Sequence, residues 1–168
     1  MRSIRTSRLA IRNFCPEDWR DLHEMIIQYQ ASGFAQYDHP WPTSEIEIRR
    51  ISEWFSSGDS YLAVCLLETD KLIGFVALNR EKRVDGLAFN LGYVFNSDYH
   101  GRGFATEACQ AAIEHAFERE GASRIVSGTA PANHPSRRLL ARLGLCETGG
   151  GLYALSRDDW TIRRRQQN

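Results

Sequence analysis

Apolar positions in the first sixty residues predict one short strand and two helices. Leu9 and Ile11, followed by turn-like residues at 14–16, predict a short opening strand. From Pro16 onward apolar residues recur every three or four residues, which predicts a helix that begins there. Residues 31–43 form an irregular, aromatic-rich loop, and Thr43 or Ser44 can cap a second helix.

The rest of the chain predicts a mixed sheet. Short apolar runs separated by polar turns predict three consecutive strands, at residues 61–67, 72–78 and 87–95. Strands and helices then alternate. They are a helix at 104–120, a strand at 124–129, a helix at 135–143, a strand at 153–155 and a polar tail at 163–168. Because no linker or repeat interrupts this order, we expect one α+β domain spanning residues 1–168.

Composition narrows the class of protein. The 168 residues carry 21 basic and 21 acidic side chains, a balance that argues against a nucleic-acid-binding protein. No apolar run reaches the roughly 20 residues needed to span a bilayer, and the amino terminus lacks a secretion signal. The four cysteines and five histidines show no metal-ligand spacing. We therefore expect a cytoplasmic protein without a metal or a membrane partner.

The segment at residues 96–106 carries the candidate chemistry. Gly101 and Gly103 leave the backbone uncovered just before a predicted helix, whose first N–H groups are free to bind phosphate oxygens. A tight turn that needs glycine only for its shape is the alternative. A dinucleotide fingerprint fits less well, because Thr106 stands at its third glycine position and residues 124–133 contain no acidic residue for a ribose.

Several motifs in register resemble the GNAT superfamily of N-acetyltransferases. His100 to Ala105 is similar to the family's pyrophosphate loop, although His100 replaces its usual Gln or Arg. The segments at 90–94 and 133–145 are similar to the fourth strand and to the next cofactor motif. The two ends of the chain resemble the branch that acetylates the amino termini of ribosomal proteins.

This resemblance implies a fold and a cosubstrate. The fold would be a mixed, mostly antiparallel sheet, splayed between its fourth and fifth strands and flanked by about four helices. The cosubstrate would be acetyl-CoA, with pantetheine in the opening and the diphosphate on the glycine loop. The implied cofactor-binding residues are Val94, Phe95, His100, Gly101, Arg102, Gly103, Phe104, Ala105, Thr106, Asn133 and Ser136.

The resemblance also implies catalytic positions, with two departures. A backbone N–H near Val94 would stabilise the oxyanion, and Ser136 would protonate the departing thiolate. Asn90 stands where relatives often carry a glutamate base, so it would act by holding a water. Leu140 replaces a tyrosine acid. Tyr93 is interpreted as a packed strand aromatic rather than as a catalytic group.

The acceptor is expected to be a primary amine, either a peptide amino terminus or a small molecule. At pH 7 a lysine amine with a pKa of ~10.4 costs about 4.6 kcal/mol to deprotonate, against about 1.4 kcal/mol for an α-amino group. A site with no evident base therefore favours the α-amino group, although water chains can reach a distant Glu24 or Asp38. Tyr37, His39, Trp41 and Asn90 are the candidate acceptor-binding residues.

Three questions remain open at this point. The connection at residues 146–151 is short for the ribosomal branch, which leaves the acceptor side open or completed by a second subunit in a homodimer. The two departures allow a catalytically silent module that binds acyl-CoA or has a regulatory role. A nucleotide-dependent enzyme is the remaining rival.

Overall fold

The computed structural model describes residues 3–82 and 86–167. The predicted domain spans residues 1–168, so its residues 1, 2, 83–85 and 168 lie outside the described part. The strands are β1 Ser3–Arg5, β2 Leu9–Asn13, β3 Tyr61–Leu66, β4 Leu72–Glu81, β5 Ala88–Phe95, β6 Arg124–Gly128, β7 Cys146–Gly149 and β8 Leu152–Ser156. The helices are α1 Trp19–Ala31, α2 Glu45–Ser56, α3 Phe104–Glu118, α4 His134–Leu143 and α5 Arg157–Gln167.

These strands form one mixed sheet in the order β1-β2-β3-β4-β5-β6-β8-β7. The pair β5–β6 is parallel and the other neighbours run antiparallel. Pairing of β5 with β6 runs from Ala88 opposite Arg124 to Asn90 opposite Val126. Beyond Asn90 the two strands separate. The predicted fold class and the predicted splay are therefore confirmed, and the extra strand β1 makes the splayed strands the fifth and sixth.

Two apolar clusters cover the faces of the sheet. Phe89 and Phe117 belong to the cluster under α3, and Met25 and Phe55 belong to the cluster under α1 and α2. Each of these four side chains is at most 1% exposed. The helical spacing seen in the sequence thus places the apolar face of each helix on the sheet. Ser44 is the N-cap of α2, and its hydroxyl accepts a bond from the Glu47 amide.

The structure corrects several sequence-based boundaries. The helix predicted from Pro16 begins as a short 3-10 turn, Pro16–Asp18, before α1. Strands β1 and β7 were not predicted, because β1 has only three residues and every residue of β7 is exposed. Most of the predicted polar tail belongs to α5. Counting the described residues, five α-helices replace the expected four or so.

Candidate active site

The separation of β5 from β6 opens a cleft of about 960 Å³. Residues 91–95 form one wall, and residues 127–130 and α4 form the other. At its closed end the Ser127 hydroxyl donates to the Leu91 carbonyl oxygen at 2.8 Å, which takes the place of a ladder bond. Beyond this point, the β5 amides on the side of β6 have no partner strand. They are therefore available to a ligand that lies in the cleft.

The alternation of the β4–β5 ladder decides which amides face the cleft. The Asn96 N–H donates to Ile73 O, and the register continues unbroken through Val94 opposite Phe75. In an antiparallel ladder the N–H groups point alternately to the two sides. The Val94 N–H therefore points toward β4, and the N–H groups of Tyr93 and Phe95 point into the cleft. The N–H groups near Val94 that face the cleft are therefore those of its two neighbours, although Val94 itself is one of the residues that line the cleft.

The glycine loop lies at the open end of the cleft. Gly101 and Gly103 have φ angles of +74° and +80°, a backbone conformation in which glycine avoids the Cβ strain of other residues. Gly103 is the N-cap of α3 and provides no side-chain cap, so the first-turn N–H groups remain free for a ligand. The predicted loop residues Gly101, Gly103, Phe104, Ala105 and Thr106 all line the cleft.

The other two predicted loop residues have different surroundings. His100 lines the cleft, and its Nε2 bonds to the Phe95 carbonyl oxygen at 3.0 Å, which ties the loop to the end of β5. Since a carbonyl oxygen only accepts, this nitrogen carries the proton. Arg102 is exposed and is not among the lining residues; its guanidinium lies 5.1 Å from the centre of the Phe104 ring.

A contact between α3 and the amino-terminal hairpin was missed by the sequence reasoning. Glu107, in the first turn of α3, accepts hydrogen bonds from Thr6 and Ser7 and forms an ion pair with Arg8 at 2.6 Å. Burial alone would raise the pKa of Glu107, but the hydrogen bonds from Thr6 and Arg8 lower it below its ordinary value. The start of α3 is therefore anchored to the turn between β1 and β2.

Ser136 and Asn133 meet at the start of α4. The Asn133 side-chain oxygen caps this helix by accepting a bond from the Ser136 amide at 3.2 Å, and both residues line the cleft. The Ser136 hydroxyl lies 2.8 Å from the Tyr93 hydroxyl. Burial raises the pKa of Tyr93 even though the bond to Ser136 opposes that shift, so the phenol stays protonated.

This Tyr93–Ser136 pair changes the interpretation of Tyr93. The ring packs against the core, as expected, but its hydroxyl also joins the predicted thiolate acid. Leu140, at the position where the family resemblance implies a tyrosine, is fully buried in the core. A phenol from β5 therefore lies beside the serine, whereas α4 of this chain lacks the implied tyrosine. The sequence contained no signal for this contact, because the two residues lie 43 positions apart.

The structure separates the four predicted acceptor-binding residues. Tyr37 lines the cleft, whereas His39, Trp41 and Asn90 are not among its lining residues. Trp41 packs against Phe75, with ring centres 5.8 Å apart. Asn90 is exposed and occupies the last β5–β6 pair.

Three other residues take part in the cleft wall beside Tyr37. They are Tyr29, Phe34 and Asp38. The Tyr29 hydroxyl donates a hydrogen bond to Asp38. The position of Asp38 between two predicted acceptor residues was the available signal for its place in the wall.

Across residues 3–82 and 86–167, no three His, Cys, Asp or Glu side chains are placed to share a metal ion. None of the helices described in those ranges combines the length and the apolar character needed to cross a bilayer.

The chain is similar to a family of known proteins. Residues 8–145 match the family described as "Acetyltransferase (GNAT) domain". The uncharacterized N-acetyltransferase YnaD of Bacillus subtilis is 28% identical over 151 residues, which cover 87% of this chain and 84% of that protein. The ribosomal protein uS5-alanine N-acetyltransferase of Escherichia coli is 27% identical, covering 96% and 94%.

Solved structures agree on the fold. A GNAT-family acetyltransferase from Bacillus anthracis superposes with a TM-score of 0.83 at 24% identity. The superposition covers 94% of this chain and 99% of that chain.

Proposed function

The chain belongs to the GNAT acetyltransferase family and is an N-acetyltransferase, and we propose that the cleft between β5 and β6 holds acetyl-CoA for direct transfer to an amine. The single observation that carries this proposal is the continuity of the cleft. It runs from the unpaired amides of β5 to the glycine loop and the free N-terminus of α3. Extended pantetheine fits the first part, and a diphosphate fits the second.

The residues of the cleft fit this cosubstrate. A Cβ built on Gly101 would have no atom within 4 Å, so open space lies above the loop for phosphate oxygens. The Oδ1 of Asn133 is used in capping α4, which leaves its side-chain NH₂ group to donate to the pantetheine arm. Gly103, Phe104, Ala105 and Thr106 would present backbone N–H groups to the diphosphate, with Arg102 and His100 at the rim of the loop.

Direct attack of the amine on the thioester needs an oxyanion donor and an acid. We assign the oxyanion to an N–H of β5 that faces the cleft, at Tyr93 or Phe95, rather than to the Val94 N–H. Ser136 protonates the departing thiolate, and the Tyr93 phenol restores the serine proton through their 2.8 Å contact. Asn90 lies outside the cleft lining, so it acts only through a water.

The acceptor is a primary amine, and a peptide amino terminus is one candidate class. The uS5-alanine N-acetyltransferase of Escherichia coli, a relative along almost the whole chain, supports that class. Small-molecule amines are the other class, because the segment at residues 146–151 is short and is expected to leave the acceptor side open.

Release of free thiol from acetyl-CoA across a panel of peptides and small amines tests the proposal. We expect thiol release that depends on the amine and on Ser136. Tight binding of acetyl-CoA with no thiol release on any amine would instead identify a catalytically silent module. Binding of NAD or ATP in place of acetyl-CoA, measured by isothermal titration, would contradict the donor assignment.

A further inference from the structure

Among the described residues that line the cleft, Asp38 is the only carboxylate. It follows the short 3-10 turn Ala35–Tyr37 between α1 and α2, where its backbone N–H donates to Ala35 O. The extended backbone there, with φ of −118° and ψ of 165°, holds Asp38 in the cleft wall. The proposed binding of acetyl-CoA and the proposed protonation of the thiolate do not use Asp38.

A buried tyrosine holds the Asp38 side chain. Tyr29, from the last turns of α1, is 6% exposed, and its hydroxyl donates to Oδ2 of Asp38. Burial, followed by this hydrogen bond, raises the pKa of Tyr29, so the phenol remains a donor at neutral pH. Within the described ranges nothing donates to Oδ1 of Asp38, so that oxygen is free to accept a bond from a ligand.

The charge of Asp38 is not balanced by a cation of this chain. In the described part of the chain, no Lys, Arg or His side chain forms an ion pair with Asp38. The arginines that line the cleft, Arg138 and Arg142, belong to α4 in the other wall. The rings of Tyr29, Phe34 and Tyr37 line the same wall as Asp38. A carboxylate among aromatic rings is a favourable environment for an ammonium group.

We propose that Asp38 binds the ammonium group of the acceptor and takes its proton, with Tyr29 as the positioning residue. This inference rests on the proposed function and names its acceptor class. The acceptor is a cationic primary amine with no carboxylate beside it, such as the amino terminus of a peptide or a simple amine. A free amino acid is disfavoured, because its carboxylate would lie close to the Asp38 carboxylate.

The proton balance of the reaction is complete without another reactant. One proton of the ammonium passes to Asp38, and the nitrogen lone pair then forms the new bond to the thioester carbonyl carbon. The carbon–sulfur bond breaks, and the thiolate takes a proton from Ser136, which Tyr93 supplies in turn. The second proton lost by the nitrogen restores the Tyr93–Ser136 pair. Asp38 then releases its proton to solvent, so one acetyl amide, one free thiol and one proton leave.

Three variants and two acceptors test the inference. Asp38→Asn keeps the shape of the side chain and removes its charge. Tyr29→Phe keeps the ring and removes the donor. Glu24→Gln is the matched control, since Glu24 lies in the same helix as Tyr29 but accepts a hydrogen bond from Lys71 at 2.8 Å and does not line the cleft. The acceptors are an amino-acid amide and the corresponding free amino acid, each measured at saturating acetyl-CoA.

We expect the wild-type enzyme to prefer the amide at least tenfold in kcat/KM. Asp38→Asn is expected to lower kcat/KM for the amide about 100-fold, to reduce the amide preference to within threefold, and to leave the Kd of acetyl-CoA within twofold. Tyr29→Phe is expected to raise KM for the amide three- to tenfold with a smaller change in kcat. Glu24→Gln is expected to match the wild type.

Retention of wild-type kcat/KM and of the amide preference by Asp38→Asn would overturn this inference and leave the proposed function standing. An equal loss in Glu24→Gln would also overturn it, because the effect would then not depend on the cleft. A wild-type enzyme that binds acetyl-CoA but acetylates no amine would refute the proposed function, and this inference with it.

Discussion

Replacing Gly101 by aspartate places a carboxylate where we expect the diphosphate of acetyl-CoA. Gly101 has a φ of +74°, and a Cβ there would have no atom within 4 Å. The substitution is therefore free of steric cost, and its only structural penalty is the left-handed backbone. Gly121 has a φ of +75° and equally open space, but it lies beyond the far end of α3 and outside the cleft lining. Gly121→Asp is thus a matched control.

The two substitutions are expected to have equal effects on folding and different effects on binding. The left-handed conformation costs about 1 kcal/mol for a residue other than glycine, and Asp and Asn are among the residues that tolerate it best. Two unit charges about 5 Å apart at an effective dielectric constant of about 40 to 80 repel by roughly 1–2 kcal/mol. Because a diphosphate carries two such charges, the repulsion doubles to about 2–4 kcal/mol, and we expect acetyl-CoA to bind Gly101→Asp about 30- to 900-fold more weakly.

Isothermal titration with acetyl-CoA measures the Kd, and thermal unfolding compares the variants. Gly101→Asn separates charge from shape, since it fits the same backbone conformation without a carboxylate. We expect Gly101→Asn to bind within about fivefold of the wild type. The reasoning is refuted if folded Gly101→Asp binds acetyl-CoA with the wild-type Kd, or if Gly121→Asp weakens binding equally.

The remaining predictions concern the acid pair, an ion pair and the core. Ser136→Ala and Tyr93→Phe are each expected to lower kcat about 10- to 100-fold in the thiol-release assay, with little change in the Kd of acetyl-CoA; unchanged kcat in both would assign the acid elsewhere. Burial alone would raise the pKa of Asp18, but hydrogen bonds from Arg12 and from a backbone amide lower it below its ordinary value. The ionised Asp18 carboxylate therefore stabilises the fold above pH ~4, and this stabilisation is lost as the pH falls further. Urea unfolding should accordingly show Asp18→Asn destabilised by about 1–3 kcal/mol at pH 7 and by less near pH 3, and a constant difference would contradict the ion-pair argument. Phe55→Ala should lose about 3–5 kcal/mol in the same assay, because the ring is 1% exposed; a loss below about 1 kcal/mol would mean that the site refills.

Periodicity predicted the elements that bury a continuous apolar face. α3 and β5 are examples, since seven of the 15 residues of α3 are buried and form one stripe. The elements that were not predicted, β1, β7 and α5, bury little apolar surface. In α5 the described contacts include Trp160 stacked on Phe117, while most of the helix is polar. A capping signal was present, since Ser156 accepts a bond from the Asp159 amide at the helix start.

The place of the glycine loop in the cleft lining could be predicted because it is local in the chain. The glycine loop and the start of α3 follow β5 directly, so their order in the sequence determines their arrangement in space. The candidate catalytic groups could not be predicted in the same way. The Tyr93–Ser136 contact and the orientation of the β5 amides depend on the register between strands and on the docking of α4, which no short motif encodes.

The continuous wall from Leu91 to Thr106 has a consequence for how new specificities can arise. Nearly everything proposed to hold the acetyl donor lies in one uninterrupted stretch, while the surface facing the incoming amine is supplied by a separate loop. Variation can therefore accumulate in that loop without disturbing the handling of the donor. A library restricted to residues 34–37 would leave Asp38 in place and would test new amines without altering the proposed donor site.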